Sequence, residues 1–271
     1  MKVVLFCGGY GMRMRGGVDL PKPLQLVGPH PLLVHVMRYY AAFGHTEFIL
    51  CLGYGAKQIK ELFLTHTDAL SNNFRLRHGE IELYSTDLSQ WDVTFVDTGL
   101  DTSIGDRLAQ VRPYLDDDEM FLANYADVLC DVDLTTLVER FEARPEMVMS
   151  MLAVPPQQSF HVLDLADGGD QTAATDAACP VTGVRQVSEM PLWQNGGYLI
   201  LRQEIFDWLE PGKDLVEDAG GRLAAAGRLL AQPHRGFWKP ADTFKERAEL
   251  DAMWSRGDRP WKIRKALACT S

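Results

Sequence analysis

The chain has 271 residues, 46% of them hydrophobic and 24% charged, an ordinary balance for a globular protein long enough to bury one large core. A formal net charge of −10 argues against a general nucleic-acid binder, which needs a basic face, and no apolar run approaches the roughly 20 residues of a membrane span. The N-terminus lacks the pattern of a signal peptide, and Cys7, Cys51, Cys130, Cys179 and Cys269 share no redox or metal spacing, so free thiols in a cytoplasmic protein are expected.

Lys2-Val3-Val4-Leu5-Phe6 predicts a buried strand that empties into Cys7-Gly8-Gly9-Tyr10-Gly11-Met12-Arg13. A second cation follows in Leu20-Pro21-Lys22-Pro23-Leu24. Residues 32–40 carry helical spacing, ended by Gly44, and 47–52 read as a second buried strand. A short helix over 56–63 presents Ile59, Leu62 and Phe63. Residues 74–77 and 81–84 alternate like a hairpin across 78–80. A strand at 93–96, a helix at 104–114 and a strand at 120–123 follow, the last ending in Asn124-Tyr125-Ala126-Asp127. Later segments predict strands at 147–154 and 197–201, a helix at 214–227 and an amphipathic helix at 243–254. Between them, 155–195 reads as loops and short strands forming a substrate lid. Repeated βα units imply an α/β chain with a mostly parallel sheet and helices on both faces. No repeat or linker divides it, so a single domain over 1–271 is expected.

An apolar strand that runs into a glycine-rich loop bearing cations is a way to hold phosphates. Glycines let backbone N–H groups approach the oxygens, and Arg13 and Lys22 offset their charge. The loop fails the dinucleotide pattern because Met14 stands where the third glycine belongs. Arg13 suits a bidentate grip on a pyrophosphate group, and Lys22 is a point charge fixed between two prolines. Asp127 should project at the carboxyl edge of the sheet, where such folds bind ligands. Asp242 in Gly236-Phe237-Trp238-Lys239-Pro240-Ala241-Asp242-Thr243 is a second isolated carboxylate. Mg²⁺ takes one or two protein carboxylates together with phosphate oxygens, so the two aspartates form a candidate pair. A helix N-cap is the competing role for Asp242, and capping and loop roles are expected for Asp131 and Asp133. Of the seven histidines, His161 and His234 stand out as candidates for chemistry.

Taken together these motifs resemble the sugar nucleotidyltransferases, and within them the glucose-1-phosphate cytidylyltransferases. The likeness runs over nearly the whole chain. It includes the Cys7–Arg13 loop, Pro21-Lys22-Pro23-Leu24, Cys51-Leu52-Gly53-Tyr54, Val96-Asp97-Thr98-Gly99, Gly105-Asp106-Arg107-Leu108, Tyr125-Ala126-Asp127, Asn195-Gly196-Gly197 and the 236–243 block. The resemblance implies a Rossmann-like, GT-A-type sheet, with a nucleotide-binding half over 1–150 and a mixed acceptor-binding half over 151–271. It implies transfer of CMP from CTP to a phosphorylated acceptor, in-line attack at the α-phosphorus and loss of pyrophosphate. Matched motif to motif, Arg13 holds the β- and γ-phosphates and Lys22 stabilises charge at the α-phosphate. Gly8, Gly9 and Gly11 line the phosphates, Thr98 and Gly99 lie near the base, and Arg107 reaches a phosphate. Asp127 and Asp242 hold Mg²⁺, and Asn195 and Gly196 contact the sugar. A homo-oligomer is also implied, with the 66–91 region as a contact surface.

The acceptor side departs from the family pattern. Glu189-Met190-Pro191 stands where the family carries E-K-P, and Met190 cannot pair with a phosphate. The lost charge-assisted contact is worth roughly 1.5–3 kcal/mol, with Arg185 as a candidate replacement. His161 in Ser159-Phe160-His161-Val162-Leu163-Asp164 stands where the family keeps a small glycine beside the sugar ring. The 191–195 loop is short and carries Trp193. These changes point to an acceptor other than glucose 1-phosphate, with an ordinary glucose-1-phosphate enzyme that tolerates them as the alternative within the same class. They also leave open a catalytically weak, regulatory nucleotide-sugar binder, against which the complete set of Arg13, Lys22, Asp127 and Asp242 argues.

Overall fold

The computed structural model describes residues 1–9, 20–84, 86, 88–115, 118–157, 160–166 and 178–263. Strands β1 (Val3–Phe6), β2 (Leu26–Val27) and β3 (His30–Pro31) precede helix α1 (Leu32–Ala42). Next come β4 (Glu47–Leu52), α2 (Ala56–Leu64), α3 (Asp68–Ser71), β5 (Phe74–Arg77), β6 (Glu80–Leu83), β7 (Asp92–Asp97) and α4 (Ile104–Val111). The middle of the chain forms β8 (Met120–Tyr125), β9 (Val128–Cys130), α5 (Leu134–Glu142), β10 (Met149–Val154), β11 (His161–Leu165) and β12 (Val181–Gln186). The last elements are β13 (Gln194–Asn195), β14 (Leu199–Arg202), α6 (Gly221–Ala225), β15 (Leu229–Pro233), β16 (Trp238–Pro240) and α7 (Phe244–Arg256).

The central sheet has the order β13-β10-β14-β8-β1-β4-β7, with β15 added to β10. β1 runs parallel to both β4 and β8, β4 runs parallel to β7, and β14 is antiparallel to β8 and β10. The mostly parallel α/β sheet expected from the sequence is therefore present. Its central strand is apolar on both faces because both are covered. Val3 and Leu5 join the core that contains Leu33, Met37 and Tyr40 of α1. Val4 and Phe6 join the opposite core with Leu108 and Val111 of α4. Burying a side chain of this size stabilises by roughly 1.5–3 kcal/mol, so β1 is pinned from both sides and its end is a rigid platform.

Several boundaries differ from expectation for local reasons. The helix predicted over 104–114 stops at Val111, and Arg112–Tyr114 tighten into a 3₁₀ turn around Pro113. The segment 214–227 opens as a π-helix over Leu215–Gly220, whose first N–H groups are capped by the Asp214 carboxylate, before α6. Glu80 belongs to strand β6 rather than to the turn, which is His78-Gly79. The first-half strands fall where periodicity put them. The 155–195 region holds the exposed β11–β12 hairpin. Cys7, Cys51 and Cys130 are buried free thiols, as expected. No helix among the described residues is long and apolar enough to cross a membrane.

Candidate active site

The carboxyl ends of β1 and β8 lie side by side, since Phe6 pairs with Tyr125. A pocket of about 290 Å³ opens there, lined among others by Gly8, Gly9, Lys22, Leu100, Thr102 and Asp127. Arg13 and Gly11, assigned to this site from the sequence, lie outside the described residues.

Lys22 heads a single 3₁₀ turn over Lys22–Leu24, flanked by Pro21 and Pro23 and anchored by the buried Leu24. Prolines fix φ on either side, so the backbone delivers the ammonium to one place. That place lies between two carboxylates. Lys22 Nζ is 3.1 Å from Asp127 Oδ2 and also bonds Asp242 Oδ1. Burial works against the ammonium, but the carboxylates of Asp127 and Asp242 hold its pKa above the ordinary lysine value. Burial raises the pKa of Asp127, and Asp242 adds to the rise against the opposing pull of Lys22.

Two aspartates 115 positions apart meet through a short ribbon. β9 follows Asp127 and pairs antiparallel with β16, in the register Val128↔Pro240, Leu129↔Lys239 and Cys130↔Trp238. The N–H of Ala241 donates to the Asp127 carbonyl at 2.9 Å, which sets Asp242 beside Asp127. The helix cap is supplied by Thr243. Its hydroxyl accepts from the Glu246 N–H, while the Glu246 carboxylate accepts from the Thr243 N–H, a complete capping box. The side chain of Asp242 is thus not the N-cap and faces Lys22.

Arg107 and Thr98 belong to one hydrogen-bond network at the strand ends. Arg107 lines the pocket, but its guanidinium is buried and all five N–H groups have partners. Nε donates to Thr102 O at 3.1 Å, Nη1 to Leu52 O at 3.3 Å and Thr98 Oγ1 at 2.7 Å, and Nη2 to Gly8 O at 3.3 Å and Leu100 O at 3.0 Å. The buried Thr98 hydroxyl in turn donates to Leu52 O at 2.8 Å. These two residues tie the ends of β1, β4 and β7 together, and the N–H groups of Arg107, which the resemblance assigned to a phosphate, are taken by protein acceptors. Gly8 is required by this brace, because a Cβ there would lie 2.2 Å from Arg107 Nη1. Gly99 turns the chain at φ +87° just after β7.

Among the residues that the resemblance assigned to the acceptor, Asn195 Oδ1 accepts the Gly197 N–H at 2.9 Å, and the Gly196 carbonyl accepts from Trp238 Nε1 at 2.8 Å. Tyr125 lines the pocket and hydrogen-bonds with the Asn195 side chain, and burial pushes its phenol up to about 12. His161 is exposed on β11. Arg185, the candidate substitute for the missing lysine, pairs with Asp164 at 2.7 Å on the exposed hairpin. Glu189 and Met190 close a 3₁₀ turn that contributes no cation. A cation that sequence reasoning missed is Arg235, whose guanidinium lies 4.8 Å from the ring centre of Trp193 in the shortened loop.

No family model matches the chain. A protein named as a probable glucose-1-phosphate cytidylyltransferase of Bacillus subtilis (strain 168) is 33% identical over 268 residues, spanning 97% of this chain and 100% of that protein. The glucose-1-phosphate cytidylyltransferase of Salmonella typhimurium (strain LT2) is 32% identical over 269 residues, spanning 97% and 99%. Among solved structures, a UTP-bound UGPase from Acinetobacter baumannii matches with a TM-score of 0.66 at 17% identity, over 93% of this chain and 92% of that one. A UDP-glucose pyrophosphorylase complexed with UDP-glucose matches with a TM-score of 0.66 at 15% identity, over 94% and 98%. These structural matches establish the GT-A-type fold. With relatives matched end to end at about one position in three, the chain belongs to the glucose-1-phosphate cytidylyltransferase family of sugar nucleotidyltransferases.

Proposed function

We propose that this chain is a Mg²⁺-dependent cytidylyltransferase that transfers CMP from CTP to a phosphorylated sugar or related acceptor and releases pyrophosphate. The observation that carries the reading is the convergence of Asp127 and Asp242 on the Lys22 ammonium at the rim of the strand-end pocket. Two oxygen donors aimed at one small cationic centre fit a hard divalent ion, and Asp127 and Asp242 would hold it. Bound there, Mg²⁺ offsets triphosphate charge.

In this reading a phosphate oxygen of the acceptor attacks the α-phosphorus of CTP, the P–O bond to the β-phosphate breaks, and pyrophosphate carries away the electron pair. Such a reaction depends on positioning and charge neutralisation more than on proton transfer. Lys22 is the cation for the α-phosphate. Arg13 would hold the β- and γ-phosphates beside Gly8, Gly9 and Gly11. Gly99 and the segment after it would face the nucleoside, and Arg107 and Thr98 keep the pocket wall in shape. The names of the relatives and the Val96-Asp97-Thr98-Gly99 and 236–243 blocks support CTP as the donor. Met190, the exposed His161 and Trp193 support an acceptor other than glucose 1-phosphate, bound near Asn195 and Gly196. Buried free thiols agree with a cytoplasmic protein. Exposed Leu70, Leu76, Ile81 and Tyr84 favour a homo-oligomer through the β5–β6 region.

The test is a matrix of the four nucleoside triphosphates against sugar phosphates, polyol phosphates and phosphonates with Mg²⁺, read as pyrophosphate release. Turnover with CTP and at least one acceptor is expected. Tight CTP binding with no pyrophosphate released from any pairing would overturn catalysis in favour of a regulatory binder.

A further inference from the structure

The β9–β16 ribbon carries a second cluster at the end away from Asp127 and Asp242. There the Asp131 N–H donates to the Phe237 carbonyl at 3.1 Å, and the chain turns toward His234. Cys130, Asp131 and His234 each offer one donor atom, and these atoms all lie within 4.8 Å of one another. His234 Nε2 is 2.9 Å from Asp131 Oδ1. Cys130 is 1% exposed, and its sulfur accepts a weak contact from the Val132 N–H at 3.4 Å. Gly236 leaves room for the group, since a Cβ there would lie 2.6 Å from both Asp131 Oδ1 and His234 Cε1.

We propose that Cys130, Asp131 and His234 form a binding site for a thiophilic divalent cation such as Zn²⁺, distinct from the all-oxygen pair Asp127 and Asp242. One sulfur, one nitrogen and one oxygen donor suit Zn²⁺ or Co²⁺ at about 2.0–2.3 Å with a fourth position open to water. Mg²⁺ prefers oxygen ligands, so the two ends of one ribbon sort hard from soft cations. Donor atoms around such an ion stand about 3.5 Å apart, so the side chains need to close by about 1 Å. On binding, the Cys130 thiol releases its proton to solvent and its sulfur bonds the metal. The His234–Asp131 hydrogen bond gives way to two metal bonds. The proton on His234 Nε2 moves through solvent to Nδ1, leaving a neutral ring whose Nε2 bonds the metal, and thiolate and carboxylate together balance the dipositive charge. The ligands come from the end of β9 and from the segment joining β15 to β16, so the ion staples that segment to the ribbon.

Titration with Co²⁺ under saturating Mg²⁺ tests the site without reference to catalysis. The expected result is one equivalent bound, with thiolate-to-cobalt charge-transfer absorption, and a raised melting temperature when Zn²⁺ is supplied. The absorption should vanish in Cys130→Ser and weaken in His234→Gln. Absence of the thiolate band in the wild type overturns the proposal. So does a band that persists undiminished in either variant. Should Cys130→Ser fail to fold, the same band in His234→Gln decides the question.

Discussion

Replacement of Arg107 by lysine separates a structural brace from a phosphate ligand. The guanidinium fork joins four backbone carbonyls and the Thr98 hydroxyl at the ends of three neighbouring strands. A lysine ammonium has three N–H groups at a single point, so at least two of these five contacts are lost. A buried polar group left without a partner costs about 1–3 kcal/mol. Leu52 O keeps the Thr98 N–H and hydroxyl as donors, which makes its share the smallest. The variant should therefore lose about 3 kcal/mol of unfolding free energy before any ligand is added. Urea denaturation of the ligand-free protein reads this directly, with CTP affinity measured alongside. An unchanged denaturation midpoint accompanied by weaker CTP binding would refute the brace and return Arg107 to the phosphates.

Lys22→Ala should leave the near-ultraviolet circular dichroism intact and reduce pyrophosphate release by about 100-fold or more, the scale of a lost electrostatic donor. Activity within tenfold of wild type would remove Lys22 from the mechanism. Met190→Lys restores an acceptor-side cation and should raise kcat/KM for glucose 1-phosphate by about tenfold or more, the equivalent of one charge-assisted hydrogen bond. An unchanged value would show that position 190 does not select the acceptor. Burial lowers the pKa of His35 to about 4, and its ring donates to the Val27 carbonyl at 2.9 Å. The unfolded chain takes up this proton near pH 6.5, so the stability contribution is complete above that pH. It declines as pH falls toward 4, by about 3 kcal/mol in all. Unfolding free energies across that range should show a slope in the wild type that His35→Asn lacks, and equal slopes would contradict the assignment.

The central strands were legible because burial on two faces leaves continuous apolar runs such as Val3–Phe6 and Phe48 to Leu52. Asp127 and Lys22 were legible too, one as a carboxylate ending such a run and the other as a lysine held between prolines. The α5 helix escaped notice although its signals were present: the Asp133 side chain caps it, and Leu134, Leu137 and Phe141 form its buried stripe. The β9–β16 pairing was invisible because two three-residue strands carry no periodicity, and only the folded chain sets Pro240 against Val128. Asp242 was ambiguous because Asp-Thr before a helix offers two capping side chains, and the capping box settles on Thr243. Arg107 was assigned through the motif resemblance, and a basic residue in a matched motif looks the same in sequence whether its N–H groups face a ligand or, as in this structure, strand-end carbonyls.

The most direct test of the central claim is calorimetric titration of CTP, with Mg²⁺ and with chelator, into the wild type and into the Asp127→Ala, Asp242→Ala double variant. Mg²⁺ should tighten CTP binding to the wild type and leave the double variant unaffected. Equal enhancement by Mg²⁺ in both proteins would show that the two carboxylates do not hold the metal of the triphosphate.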